Sequence, residues 1–158
     1  MVTAKNIYKP KTSIHNDVEI GRFFNVSKNL GLNAKSSKVL RERVENGLPY
    51  KSFKTLEKKM GVSTKDLSEM LSIPKTTLSR REKEGNFKID ESDRVYRFAD
   101  LLAQAIEMFG GDVKKGSLWL RKKRAIFNGH SAVIHARTEL GAREVEKVIG
   151  RIRHGVSV

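Results

Sequence analysis

The chain has no cysteine in 158 residues, which excludes disulfides and thiolate metal sites and leaves stability to helix packing or association. Long hydrophobic runs are missing as well. The apolar stretches are a few residues long, far short of the roughly 20 that a membrane helix needs, and the N-terminus MVTAKNIYKPK lacks the apolar core of a signal peptide. The expectation is a cytoplasmic protein with no membrane partner. Aromatic residues make up only 7%, without the interleaved stacking platform of an RNA-binding surface. Acidic charge is the scarcer sign: 18 Asp and Glu stand against 32 Lys and Arg, a net charge of +14 that favours a polyanionic partner. A hydrophobic content of 38% is lean, and two small helical units fit it best. There is no internal repeat and no low-complexity tract.

What is present concentrates between Val62 and Gly85, VSTKDLSEMLSIPKTTLSRREKEG, which reads as two short helices joined by a three-residue turn. Ser63 can cap the first helix with Asp66 reaching back, and Leu67, Met70 and Leu71 share one face. The helix stops near Ser72, Ile73 and Pro74 make the turn, Leu78 locks the second helix, and Gly85 ends it. Ser68 is small where the helices approach. Exposed on the second helix are then Lys75, Thr76, Thr77, Ser79, Arg80 and Lys83, short hydrogen-bonding and cationic side chains suited to a major groove. Lys75, Thr76 and Thr77 lie nearest the base edges, and Arg80 can fork onto a guanine or grip a phosphate. Arg81 stands where many such units carry an apolar residue. An ordinary helical hairpin with a solvated face is the bland alternative.

Around this unit the chain divides into residues 1–33, a basic and mobile arm anchored by Phe23 and Phe24; 34–110, a helical DNA-binding and dimerisation domain; and 111–158, a small helical unit. Val39, Leu40 and Val44 mark one helix, and Phe53, Leu56 and Met60 another. Acidic residues Asp90, Glu91 and Asp93 open a long helix that reaches Phe109 and presents a broad apolar face. That face can touch two neighbours, the N-terminal bundle and, through Val95, Phe98, Leu102, Ala105 and Phe109, the same helix of a second copy in a homodimer whose twofold axis matches two operator half-sites, with core packing alone as the alternative. Leu118, Trp119 and Leu120, then Val133 and Ile134, then Val145, Val148, Ile149 and Ile152 mark three further helices. The last is expected to pack on Trp119 or a partner. Charge is uneven: residues 1–60 hold 13 basic and 5 acidic side chains, residues 61–97 hold 8 and 7, and residues 98–158 hold 11 and 6. The helix-turn-helix is nearly neutral, so phosphate contacts fall to its flanks, the arm first among them.

Catalysis finds little support. The histidines, at 15, 130, 135 and 154, lack zinc spacing. Ser131 and His135 could meet at a helix start, but that spacing is frequent by chance. No glycine-rich strand-to-helix fingerprint is present, and neither metal nor other cofactor is expected.

The stretch EGNFKIDESDRVYRFADLLAQAIEMFGG, the tripeptide LWL and FNGHSAVIHARTELGAREVEKVIGRIRHGV together resemble the Xre-type antitoxins that pair with RES-domain toxins. The resemblance covers most of residues 47–158, in the order of Arg80, Gly85, Glu91, Trp119, Gly129, Thr138, Gly141 and Gly155 among others. Ala132 departs from it, where the family usually has proline, as does the basic Arg121–Arg124 loop, where a proline is common. The resemblance implies an all-α chain in which a helix-turn-helix bundle precedes a toxin-binding domain, a non-enzyme that binds its own operon's promoter and holds an NAD-consuming toxin inactive. The toxin-binding residues expected are Arg143 and Lys147 on the last helix and Arg151, Arg153, His154, Gly155, Val156, Ser157 and Val158 at its end, with Arg151, Arg153 and His154 suited to a phosphate-binding or acidic pocket. The rival is a stand-alone repressor whose C-terminal unit merely dimerises.

Overall fold

In the computed structural model, residues 14–157 are described. They form α1 (Ile14–Asn29), α2 (Ser37–Glu45), α3 (Tyr50–Met60), α4 (Thr64–Leu71), α5 (Lys75–Glu84), α6 (Ile89–Met108), α7 (Val113–Arg121), a 3-10 turn at Ala125–Phe127, α8 (Ala132–His135) and α9 (Glu139–Arg153). No strand occurs among the described residues, only isolated bridges, so the all-α expectation holds.

Local chemistry sets the boundaries. Ser36, Ser63, Asp112, Ser131 and Thr138 each accept a backbone N–H at a helix start, while Gly61 and Gly85 close α3 and α5 at φ +64° and +88°. Glu91 accepts the Lys88 N–H at 2.9 Å, as an acid in the first turn of α6 should.

The long helix α6, about 30 Å from end to end, is the axis of the molecule. Residues Phe98–Ala105 are all buried, because α1, α2, α3, α4, α7 and α9 surround it. This corrects the expected dimer face. Val95, Leu102 and Ala105 are fully buried and Phe98 is 5% exposed within one chain, while Phe109 packs partly buried against the same core. The breadth of the face is satisfied by the chain's own helices, and a second copy cannot reach it.

The arm needs correction too. Residues 14–29 are helical and pack on α6 through Val26 and Leu30. Asn29 and Ser27 are buried beside them, the amide donating to the Ala99 carbonyl at 3.0 Å and the hydroxyl to the Leu32 carbonyl at 2.8 Å. Phe23 packs on the core, but Phe24 is 55% exposed and anchors nothing. Residues 1–13 lie outside the described residues. The last helix, α9, packs chiefly on α6 and on α8 rather than on Trp119. Trp119 instead meets the Phe127 edge, with Arg124 stacked 5.0 Å above its ring.

One polar cluster clasps α1, α6 and α9. The Arg22 guanidinium donates to both Asp100 carboxylate oxygens, one at 2.6 Å, and to Glu146 at 3.0 Å, and Gln104 bridges the two acids at 3.3 Å each. The hydrogen bond to Asp100 leads the causes that raise the Arg22 pKa, against the opposing effect of burial.

Candidate functional site

The helix-turn-helix is built as its local signals demand. Ser63 Oγ accepts the Asp66 N–H at 3.1 Å and donates to the Asp66 carboxylate at 2.7 Å. Ser72 takes a left-handed conformation at φ 53° and ends α4; Pro74 stands at the cap of α5. Leu67, Leu71, Ile73 and Leu78 are buried between the helices, each contributing about 1.5–3 kcal/mol of apolar burial. Ser68, buried at the crossing, donates to the Ile73 carbonyl at 2.6 Å and so fixes the turn.

With one side of α5 used this way, its other side is open. Lys75, Thr76, Ser79, Arg80 and Lys83 are exposed and Thr77 is half-buried. Among the described residues none of these cations is ion-paired. Short hydroxyls and a free guanidinium on a fixed convex helix can read base edges and grip phosphates.

Arg81 is the residue whose role sequence reasoning missed. It points inward, 2% exposed, in the position usually filled by an apolar side chain. Its Nε and second guanidinium nitrogen donate to the two Glu91 oxygens at 2.6 and 2.9 Å, and the remaining nitrogen donates to Glu84. The fork geometry closes the charge inside the fold and bolts α5 to α6. The hydrogen bond from Arg81 holds the Glu91 carboxyl below its ordinary range, against the opposing effect of burial, and the Arg81 pKa is raised in turn, first by Glu91. Arg94 adds a second tie, donating to the Ser72 carbonyl at 2.7 Å across the end of α4. An arginine and a glutamate ten residues apart, at an apolar position and in a first helical turn, were the available signal.

The C-terminal residues separate into two groups. Arg143 and Lys147 are exposed along α9, Arg143 paired with Glu139 at 2.5 Å. Arg153 turns back onto Glu107 of α6 at 2.8 Å, and Arg151 donates to the Ser157 carbonyl. The tail turns at Gly155, φ 68°, with the Val156 N–H bonded to the Arg151 carbonyl at 2.9 Å. His154, Gly155, Val156 and Ser157 are exposed; Val158 lies outside the described residues. Leu140, at 70% exposure, was missed. It is an apolar residue out of phase with the buried Val145, Val148 and Ile149, and that phase difference was visible in the sequence.

The histidines do not converge. Ser131 caps α8 by accepting the Ile134 N–H at 3.3 Å, and His135 meets Glu144 at 2.5 Å. No cluster of three or more potential metal ligands exists among the described residues, and no described helix is long and apolar enough to cross a membrane.

Comparison with known proteins agrees with this division. Residues 39–100 match the family model of the antitoxin Xre-like helix-turn-helix domain, and residues 104–155 match that of the antitoxin Xre/MbcA/ParS C-terminal toxin-binding domain. The chain is 30% identical over 128 residues to Antitoxin Xre of Yersinia enterocolitica, which covers 80% of this chain and 86% of that protein. It is 28% identical, over the same shares, to Antitoxin Xre of Photorhabdus laumondii. With Antitoxin Xre of Pseudomonas putida it shares 36% identity over 84 residues, 52% of each chain. The second match begins inside α6, so one helix serves both halves.

Proposed function

The chain belongs to the Xre antitoxin family, and from that premise we propose that it neutralises a RES-domain, NAD-consuming toxin by direct binding and represses its own operon by binding promoter DNA. The observation that carries the DNA half is the open outer side of α5 on a helix-turn-helix whose inner side is closed by Leu78 and Arg81. Lys75, Thr76, Thr77 and Ser79 then face base edges, and Arg80 and Lys83 take a guanine or phosphates. For the toxin half, α9 and the tail supply the surface. Arg143, Lys147, Arg151, Arg153 and His154 give it positive charge, and Gly155, Val156, Ser157 and Val158 extend it into the toxin's cleft.

The test is co-expression with the neighbouring reading frame. Expressed alone, that product should deplete cellular NAD and stop growth; with this chain it should do neither, and the two should co-purify. Truncation after Ile152 should leave the fold intact and release the toxin. Arg80→Ala should lose discrimination between the upstream duplex and a scrambled one by about tenfold or more, a bidentate base contact being worth roughly 1–3 kcal/mol. A harmless neighbour, or full inhibition by the truncated chain, would overturn the toxin reading; unchanged discrimination would leave Arg80 to a phosphate, and unchanged affinity as well would overturn its assignment to DNA.

A further inference from the structure

The loop that follows α7 carries four consecutive cations, Arg121–Arg124, and the fold treats them unequally. Arg124 is pinned: its guanidinium stacks on Trp119, its backbone N–H donates to the His130 carbonyl at 3.0 Å, and its carbonyl accepts the Gly129 N–H at 3.0 Å. Lys123 pairs with Ser131 in an isolated bridge. The backbone is therefore fixed, while the Arg121, Lys122 and Lys123 side chains are exposed, and among the described residues none is in an ion pair. Three adjacent like charges on a fixed loop repel one another and cost stability unless something anionic meets them.

Where they stand matters more than their number. Arg121 and Ser131 meet Asp66, Glu69 and Met70 of α4 around a cleft of about 370 Å3. Arg137, from the turn before α9, donates to the Glu69 carbonyl at 2.7 Å, and Ser117 of α7 donates to the Met60 carbonyl just ahead of the helix-turn-helix at 3.0 Å. Arg121, the first residue of the basic loop, thus lies at the flank of α4, and the elements on either side of the loop are tied to α4 and to the end of α3. In a docked helix-turn-helix the second helix enters the major groove and the first crosses the sugar-phosphate backbone. A strand that crosses the Asp66–Met70 side of α4 would meet Arg121 there. Asp66 and Glu69 line the same cleft and the Arg121 charge helps to hold the Asp66 carboxyl below its ordinary range, so these acids offset part of the Arg121 charge, but three loop cations stand against two acids and the patch stays basic.

We infer that Arg121, Lys122 and Lys123 form a second, sequence-blind DNA contact that grips backbone phosphates beside α4, so that the toxin-binding half of the chain takes part in holding DNA. This rests on the reading of α5 as the base-reading helix, and it explains where a nearly neutral helix-turn-helix finds its electrostatic attraction.

The experiment measures the affinity of the full chain for two duplexes, the upstream region of its own reading frame and a scrambled sequence, as salt is raised. The variant is Arg121→Gln with Lys122→Gln and Lys123→Gln, with the Lys122→Gln, Lys123→Gln pair as a milder form. The control removes equal charge near the far end of α6, by Lys28→Gln, Lys114→Gln and Lys115→Gln. Each lost phosphate contact lowers the slope of log affinity against log salt by about 0.9, so three lower it by about 2.7. Raising salt from about 50 to about 200 mM should then cost the wild type about 40-fold more affinity than it costs the variant. Both duplexes should weaken alike, the variant should melt no lower than wild type, and the control should keep the wild-type slope. A variant slope equal to the control's overturns the inference while leaving α5 as the reader. A variant that keeps its DNA slope but no longer captures the toxin reassigns the loop to the protein partner and overturns it too. A wild-type chain that binds neither duplex removes the DNA reading itself, and this inference with it.

Discussion

Gly116 and Gly150 allow one chemical change to be made twice with opposite outcomes. Both lie within helices, α7 and α9, where Gly→Ala alone stabilises by about 0.5–1 kcal/mol because less backbone freedom is lost on folding. At Gly150 an added Cβ meets nothing within 4 Å, so that gain is realised. At Gly116 the same atom would land 2.8 Å from the Ile106 nitrogen, 2.9 Å from its Cα and 3.0 Å from the Ala105 carbonyl carbon. These are backbone atoms of α6, so no side chain can rotate aside and α7 has to lift. Overpacking of this kind costs roughly 1–3 kcal/mol, which outweighs the propensity gain and leaves a net loss of about 0.5–2 kcal/mol. In a chain of this size each kcal/mol moves the melting point by about 2–4 °C. Thermal unfolding should therefore place Gly150→Ala about 1–4 °C above wild type and Gly116→Ala about 1–8 °C below it. If Gly116→Ala melts higher than wild type, the close approach of α7 to α6 is not as described.

Two further outcomes follow from the buried groups. Glu91 has a lowered carboxyl pKa in the folded chain, so its contribution is present above the unfolded value of about 4.3 and is lost as pH falls through the lower folded value. Glu91→Gln should be less stable at neutral pH, because Arg81 is left buried without its counter-charge, and its urea midpoint should fall less on acidification than wild type's. An equal fall in both proteins would show that the pair does not govern acid stability. Leu102→Asp should abolish cooperative unfolding altogether, since the site is fully buried within one chain. A folded monomer from that variant, replacing a wild-type dimer in sedimentation, would restore the discarded interface.

The parts of the fold that rest on local signals were legible. Ser63, Pro74 and Gly85 announce the ends of α4 and α5 through capping and φ constraints that involve only their neighbours, and the buried stripe of α9 follows helical spacing. What could not be read depends on who fills a face. The wide apolar side of α6 was seen but divided between the N-terminal bundle and a second copy, because sequence does not say whether α1, α7 and α9 or another chain will cover it. The helix α1 was missed because two of its buried residues, Ser27 and Asn29, are polar and find backbone partners only after the chain has folded. Arg81 looked like a flaw at an apolar position; its counter-charge lies ten residues away. Of the candidate surfaces, the outer residues of α5 followed from the two-helix pattern, while Leu140 stood outside the spacing that marks the buried stripe of α9 and was passed over.

The sharing of α6 bears on how such a protein can be inherited and how it can be destroyed. A break between the two family segments would fall inside this helix and strip cover from Leu101, Leu102 and Ala103, so neither half can be shuffled away as a free-standing module. For the same reason a protease that engages either end and unravels the axis does not get one surface without the other. Clearance is all or nothing, and grip on the chromosome and restraint of a partner would lapse in the same event.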